Sequence, residues 1–195
     1  MANTTGKKIK DAAIIGGCAS LIYLTIGDIS YRLSLSRGGL NSKLITDMVA
    51  KSAAKKPKNE YKEKLDSMID DGADWFMHQD TEKIIIEKKH RQSLYADLIR
   101  PDKPSNVYII CIHGYTSSPA NMGIYAKKYH ELGYNVLLPS LRGHGDSEQD
   151  FITMGWNDRL DVIEWINYIA ERHPESKIIL HGVSMGAATT MMATG

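Results

Sequence analysis

Little in this chain offers a cross-link, a metal or a long-range electric field. Its 195 residues hold two cysteines, Cys18 and Cys111. They lie in unrelated apolar stretches, which excludes a disulfide framework and a C-x-x-C metal or redox site. The β-branched surroundings of Cys111 mark it as a buried strand residue. Charge of one sign is missing as well: 24 basic against 23 acidic residues leave a formal +1, and so no global attraction for nucleic acid. No H-E-x-x-H occurs, and His113, His144, His181 and Asp146 have no recognised metal-ligand spacing. No metal and no cofactor is therefore expected. At 43% hydrophobic and 24% charged residues, the composition is that of an ordinary globular domain rather than a disordered chain.

A long hydrophobic run is nearly lacking too. One uncharged apolar stretch, Ala12 to Gly27, follows Lys7, Lys8, Lys10 and Asp11 and falls short of the ~20 residues that cross a bilayer. A basic flank before an apolar run is nevertheless the pattern of an export or anchoring signal. With Ile29 and the long stems of Lys10 and Arg32 extending its reach, residues 1–35 are expected to be an uncleaved, single-pass membrane anchor in contact with lipid. A removed signal peptide and a buried helix are the alternatives. The basic residues lean toward an inside amino terminus, placing the remainder on the extracytoplasmic side.

Residues 36–80 read as a helical extension, with Leu44, Ile45, Met48 and Val49, then Tyr61, Leu65, Met68 and Ile69, at helical spacing. From Thr81 the period changes. Ile84 to Ile86 and Leu94 to Leu98 flank a polar turn, as in an antiparallel hairpin. Val107 to Ile112 is a continuous apolar run of the kind buried on both faces of a parallel sheet. Ser118 and Pro119 form a helix start, with a capping hydroxyl and a proline in the first turn. Met122, Tyr125, Ala126, Tyr129 and Leu132 supply the apolar face, and Gly133 ends the helix. A strand over Tyr134 to Pro139, a helix carrying Val162, Trp165, Ile166 and Ile169, and a strand over Lys177 to His181 complete a doubly wound, mostly parallel order for residues 81–195.

The last of these strands runs into Gly182-Val183-Ser184-Met185-Gly186, followed by the small residues Ala187 to Thr190. A serine between glycines two residues away on either side fits a sharp strand-to-helix turn, which exposes its hydroxyl at the carboxyl edge of the sheet. Two further stretches occur at strand ends upstream: His113-Gly114-Tyr115 and Arg142-Gly143-His144-Gly145-Asp146-Ser147.

In this order and at these separations, the three motifs resemble the α/β-hydrolase superfamily, in particular its serine aminopeptidase and monoacylglycerol-lipase-like branch. The resemblance covers residues 82–195 and implies the amino-terminal portion of that fold. It implies Ser184 as nucleophile and the backbone N–H groups of Tyr115 and Met185 as the oxyanion hole. His113, Gly114, Arg142, His144, Asp146, Gly182 and Gly186 would shape the site, and the partner would be a small acyl substrate, an ester or a short peptide. The family's acid and histidine follow the nucleophile in chain order, and no matching residue lies before Gly195. The expectation is a truncated serine hydrolase, inactive as it stands, or alternatively a non-catalytic binding module that keeps half of the fold.

Overall fold

The computed structural model describes residues 2–37, 59–87 and 92–195. The helical pattern expected at Leu44 to Val49 lies outside them. The elements are α1 (Ala2–Leu35), α2 (Glu60–Met77), β1 (Thr81–Ile86), β2 (Leu94–Ile99), β3 (Val107–Ile112), a 3₁₀ turn (Pro119–Met122), α3 (Gly123–Glu131), β4 (Asn135–Pro139), α4 (Asp158–Arg172), β5 (Lys177–Gly182) and α5 (Met185–Thr194).

The five strands form one sheet in the order β1-β2-β4-β3-β5. Pairing is antiparallel between β1 and β2 and between β2 and β4, and parallel between β4 and β3 and between β3 and β5. The sheet is thus mixed rather than mostly parallel, and the reason is connection length. Parallel neighbours need a crossover of a dozen or more residues, which only the segments through α3 and α4 provide. β1 and β2 form the expected hairpin, and β2 then lies against β4.

The apolar run of β3 is divided between two cores, as side-chain alternation requires. Tyr108, Ile110 and Ile112 join Val162, Trp165 and Ile169 of α4. Ile109 and Cys111 join Phe76 of α2 and Met122 and Ala126 beside them. Helices therefore cover both faces, and complete burial pushes the Cys111 thiol up to about 12. It is an inert core residue. β5 lies at the edge of the sheet, with Ile179 exposed.

Two local expectations need correction. Ser118 does not cap a helix: its hydroxyl donates to Asn121 Oδ1 at 2.7 Å, and Pro119 opens a 3₁₀ turn before α3 begins at Gly123. Gly133, at φ +79°, does end α3 as its spacing suggests.

The membrane-spanning helix, with its lipid partner, is the larger correction. α1 is continuous over 34 residues, but no helix among the described residues is long and apolar enough to cross a membrane. The uncharged stretch is closed by Asp28, which pairs with Arg32 at 2.8 Å, and three glycines, Gly16, Gly17 and Gly27, dilute its apolar content. Lack of charge over a short window is not the same property as sustained hydropathy. The end of α1 is instead tied to the loop after β4. Ile152 N–H donates to Leu35 O at 2.7 Å, Arg37 N–H donates to Asp150 O at 2.6 Å, and Tyr31 packs on Phe151.

Candidate active site

β5 ends at Gly182 and α5 begins at Met185, leaving two residues for the reversal. Ser184 adopts φ 55°, ψ −118°, the first central position of a type II′ turn, where glycine is the usual occupant. A side chain held there costs of order 1–3 kcal/mol and persists because its surroundings overdetermine it. The surroundings are backbone. A Cβ on Gly182 would lie 2.2 Å from Gly186 O, and one on Gly186 would lie 2.1 Å from Ile112 O. The two glycines are needed for close approach rather than for positive φ. Ser184 itself is exposed at the carboxyl end of the sheet.

The turn after β3 meets this serine. A Cβ on Gly114 would stand 3.1 Å from Val183 O and 3.2 Å from Ser184 Cβ, so a larger residue would press on the backbone and side chain of the elbow. Gly114, Tyr115, Val183 and Ser184 line one cavity. Among the described residues, neither the Tyr115 nor the Met185 N–H has a hydrogen-bond acceptor. Met185 is the first residue of α5, where the helix leaves its N–H unpaired.

The two motif histidines are committed elsewhere. His113 is completely buried. Its Nδ1–H donates to Gly114 O at 2.9 Å, and its Nε2 accepts from Leu141 N–H at 3.2 Å. Burial pushes its pKa down to about 4. His144 repeats the arrangement: Nδ1–H donates to Arg142 O at 2.9 Å, and Nε2 accepts from Thr116 N–H at 3.1 Å. Its pKa is likewise lowered by burial. The rings meet edge to face at 4.9 Å. Both are neutral, and both bridge the Gly114–Thr116 turn to the loop after β4.

A pH dependence follows from His113. Its folded pKa lies below the ordinary 6.5, so the unfolded chain binds more protons between these values. The stabilisation is complete above pH 6.5 and is lost as pH falls toward 4, for a total of ~3 kcal/mol. Thermal unfolding followed by circular dichroism is expected to show a steeper fall over this window in the parent than in His113→Gln. Parallel curves would remove His113 as the cause.

Arg142 and Asp146 sit on the same loop, each with a charged partner of its own. The Arg142 guanidinium holds Asp161 through two bonds, Nε to Oδ2 at 2.6 Å and Nη2 to Oδ1 at 2.8 Å. Asp146 pairs with Lys83 of β1 at 3.0 Å. Sequence reasoning missed the residue that organises the loop, Asp158, which is fully buried. It accepts from Arg142 N–H at 3.0 Å, Thr153 Oγ1–H at 2.6 Å and Gly155 N–H at 2.9 Å. Also missed was the Arg37 guanidinium, which donates to the carbonyls of Gly145 and Ser147. Nothing local marks either residue in the sequence.

A strained, exposed serine thus stands on a strand-to-helix turn at the carboxyl ends of parallel strands, with Gly114 of the neighbouring strand end against it. Residues 103–194 match the family of serine aminopeptidases, S33. A thermostable monoacylglycerol lipase of Bacillus sp. (strain H-257) is 31% identical over 90 residues, 44% of this chain and 34% of the lipase. The uncharacterised protein YqkD of Bacillus subtilis (strain 168) is 29% identical over 121 residues, 62% of this chain and 39% of its own. Among solved structures, an esterase of Pyrococcus furiosus, Pf2001, superposes with a TM-score of 0.54 at 28% identity, covering 60% of this chain and 46% of the esterase. Over these residues the chain is similar to the amino-terminal part of the α/β-hydrolase superfamily. It spans between a third and two fifths of the length of the curated relatives it matches.

Proposed function

We propose that this protein contributes the nucleophile and oxyanion hole of a serine hydrolase that cleaves small esters, with amide or short-peptide bonds as the less favoured substrates. The observation that carries the reading is the conformation of Ser184, strained and exposed, with Gly114 against it and the free N–H groups of Tyr115 and Met185 beside it. Ser184 Oγ attacks the substrate carbonyl while its proton passes to a base. The carbonyl oxygen takes up the negative charge between the two N–H groups, each worth on the order of 3 kcal/mol. Collapse expels the alcohol and leaves an acyl-serine, which water then hydrolyses. Relatives named for lipase and esterase activity favour an ester.

Neither His113 nor His144 is placed to act as that base. Both ring nitrogens of His113 and of His144 are engaged. This same observation favours a second reading, a non-catalytic binding module. The two are separated by joining the chain to a segment that supplies a carboxylate and a histidine and then treating it with a fluorophosphonate. Labelling at Ser184 alone, abolished in Ser184→Ala, is the expected result. Persistent labelling of that variant would move the nucleophile to another serine, and no labelling at all would leave the binding module.

A further inference from the structure

The surface beside Ser184 opens into a cavity of about 330 Å³. Its lining joins Ser184, Gly114 and Tyr115 to Met122, Tyr125 and two residues of α2, Leu65 and Ile69. The walls are predominantly apolar, and no charged side chain is among them. α2 lies outside residues 103–194, over which the family match extends.

The position of α2 is set by backbone contact. Leu65, Ile69, Gly72 and Phe76 are spaced four, three and four residues apart, so they form one stripe of the helix. Gly72 and Phe76, at one end of the stripe, are buried. A Cβ on Gly72 would lie 2.3 Å from Ile124 N, and one on Gly123 would lie 2.0 Å from Gly72 O. The two helix backbones touch at these glycines, and no flexible side chain separates them. Gly72 thus fixes how closely α2 approaches α3, and the same stripe carries Ile69 and Leu65 on to the cavity. Leu65 is 40% exposed and Met122 only 2%, which places Leu65 at the mouth and Met122 deep.

We propose that α2 is the specificity element of this hydrolase. Leu65 and Ile69 wall a pocket that takes the apolar acyl chain of the substrate, on the order of ten carbons if each methylene fills about the ~30 Å³ of a water. The inference rests on the reading of Ser184 as the acyl-transfer nucleophile, because that role places the acyl carbon at the cavity's edge. It also selects between substrate classes. An aminopeptidase substrate brings an ammonium group close to the scissile bond, and an ammonium left in this cavity would have no carboxylate partner. An alkyl chain asks only for apolar walls.

The test measures binding, so that it does not depend on turnover. The 195-residue chain is labelled with ¹³C-methyl methionine and titrated with the straight-chain 2-alkanones from five to fourteen carbons, following the Met122 methyl resonance. Affinity is expected to rise about fourfold per added carbon and to level off near ten. Ile69→Trp fills the cavity: 2-decanone should bind at least tenfold more weakly and the plateau should move to shorter chains, with 2-pentanone changed less than threefold. Leu65→Ala, at an exposed position that the fold tolerates, should weaken only the longest chains, and it carries the test if Ile69→Trp does not fold. Ser184→Ala should retain the chain-length profile. A nucleophile reassigned by labelling therefore leaves this measurement intact, and the two failures are distinct. Profiles unchanged in both wall variants, no dependence on chain length, or phenylalanine amide binding as tightly as 2-decanone would overturn the proposal.

Discussion

Gly186→Ala is expected to lower the stability of the protein by about 3 kcal/mol, the upper end of the usual cost of overpacking. For a chain of this size this corresponds to a fall in Tm of roughly 6–12 °C. The added methyl would stand 2.1 Å from Ile112 O and 2.5 Å from His113 O. Both obstacles are backbone atoms at the end of β3, and they cannot rotate away as a side chain tip would. Either α5 lifts from the sheet or the His113–Gly114–Tyr115 turn moves, and each displaces Ser184 from Tyr115. Two other glycines calibrate the measurement. A Cβ on Gly133 meets nothing within 4 Å, but its φ of +79° is unfavourable for alanine, so Gly133→Ala should cost ~1 kcal/mol. Gly16 meets nothing and has no positive φ, so Gly16→Ala in α1 should be neutral or slightly stabilising. Calorimetry of the three variants checks the order. A Gly186→Ala protein as stable as Gly133→Ala would mean that the elbow is not held by this contact.

The same contact explains why the elbow was legible in the sequence. The spacing of Gly182, Ser184 and Gly186 is imposed by atoms within a few residues of one another and by one neighbouring strand, so a five-residue pattern contains most of its cause. The apolar run of β3 was legible for a similar reason: helices cover both sides of a strand only if both of its faces are apolar. The antiparallel pairing of β2 with β4 was not legible, because no residue of either strand encodes a neighbour 37 to 43 residues away. Neither was the role of α2. Its apolar spacing announces a packed helix, but Gly72 reads as a weak point within it until Gly123 is found against it. Asp158 was hidden likewise. It resembles any acidic residue in a first helical turn, and only the fold brings Arg142, Thr153 and Gly155 to its two oxygens. For α1, a charge-free window suggested a membrane span that the mean hydropathy of the helix does not sustain.

Residues 1–195 on their own are expected to hydrolyse short p-nitrophenyl esters at a near-background rate, equal to that of Ser184→Ala. The reason lies in where the histidines are. His113 and His144 have each given both ring nitrogens to backbone partners, and burial holds both neutral. His181 receives or donates a hydrogen bond at Nδ1 with Tyr129 at 2.7 Å, and its ring packs on Tyr125 at 4.5 Å. His173 stacks on Tyr108 at the start of β3, the opposite end from Ser184. A positioned base is worth roughly 10² to 10⁴ in rate, and a serine site stripped of its partners retains only what the oxyanion hole and binding supply. The edge position of β5 adds to the loss, since misplacement of reacting groups by about 1 Å can cost on the order of a hundredfold. The measurement is a comparison of initial rates for the chain, Ser184→Ala and the Pyrococcus esterase under the same conditions. A Ser184-dependent rate within tenfold of the esterase would contradict the argument. It would mean that a histidine is released from its backbone partners during turnover, and His144, the less deeply buried of the bridging pair, would be the first to replace.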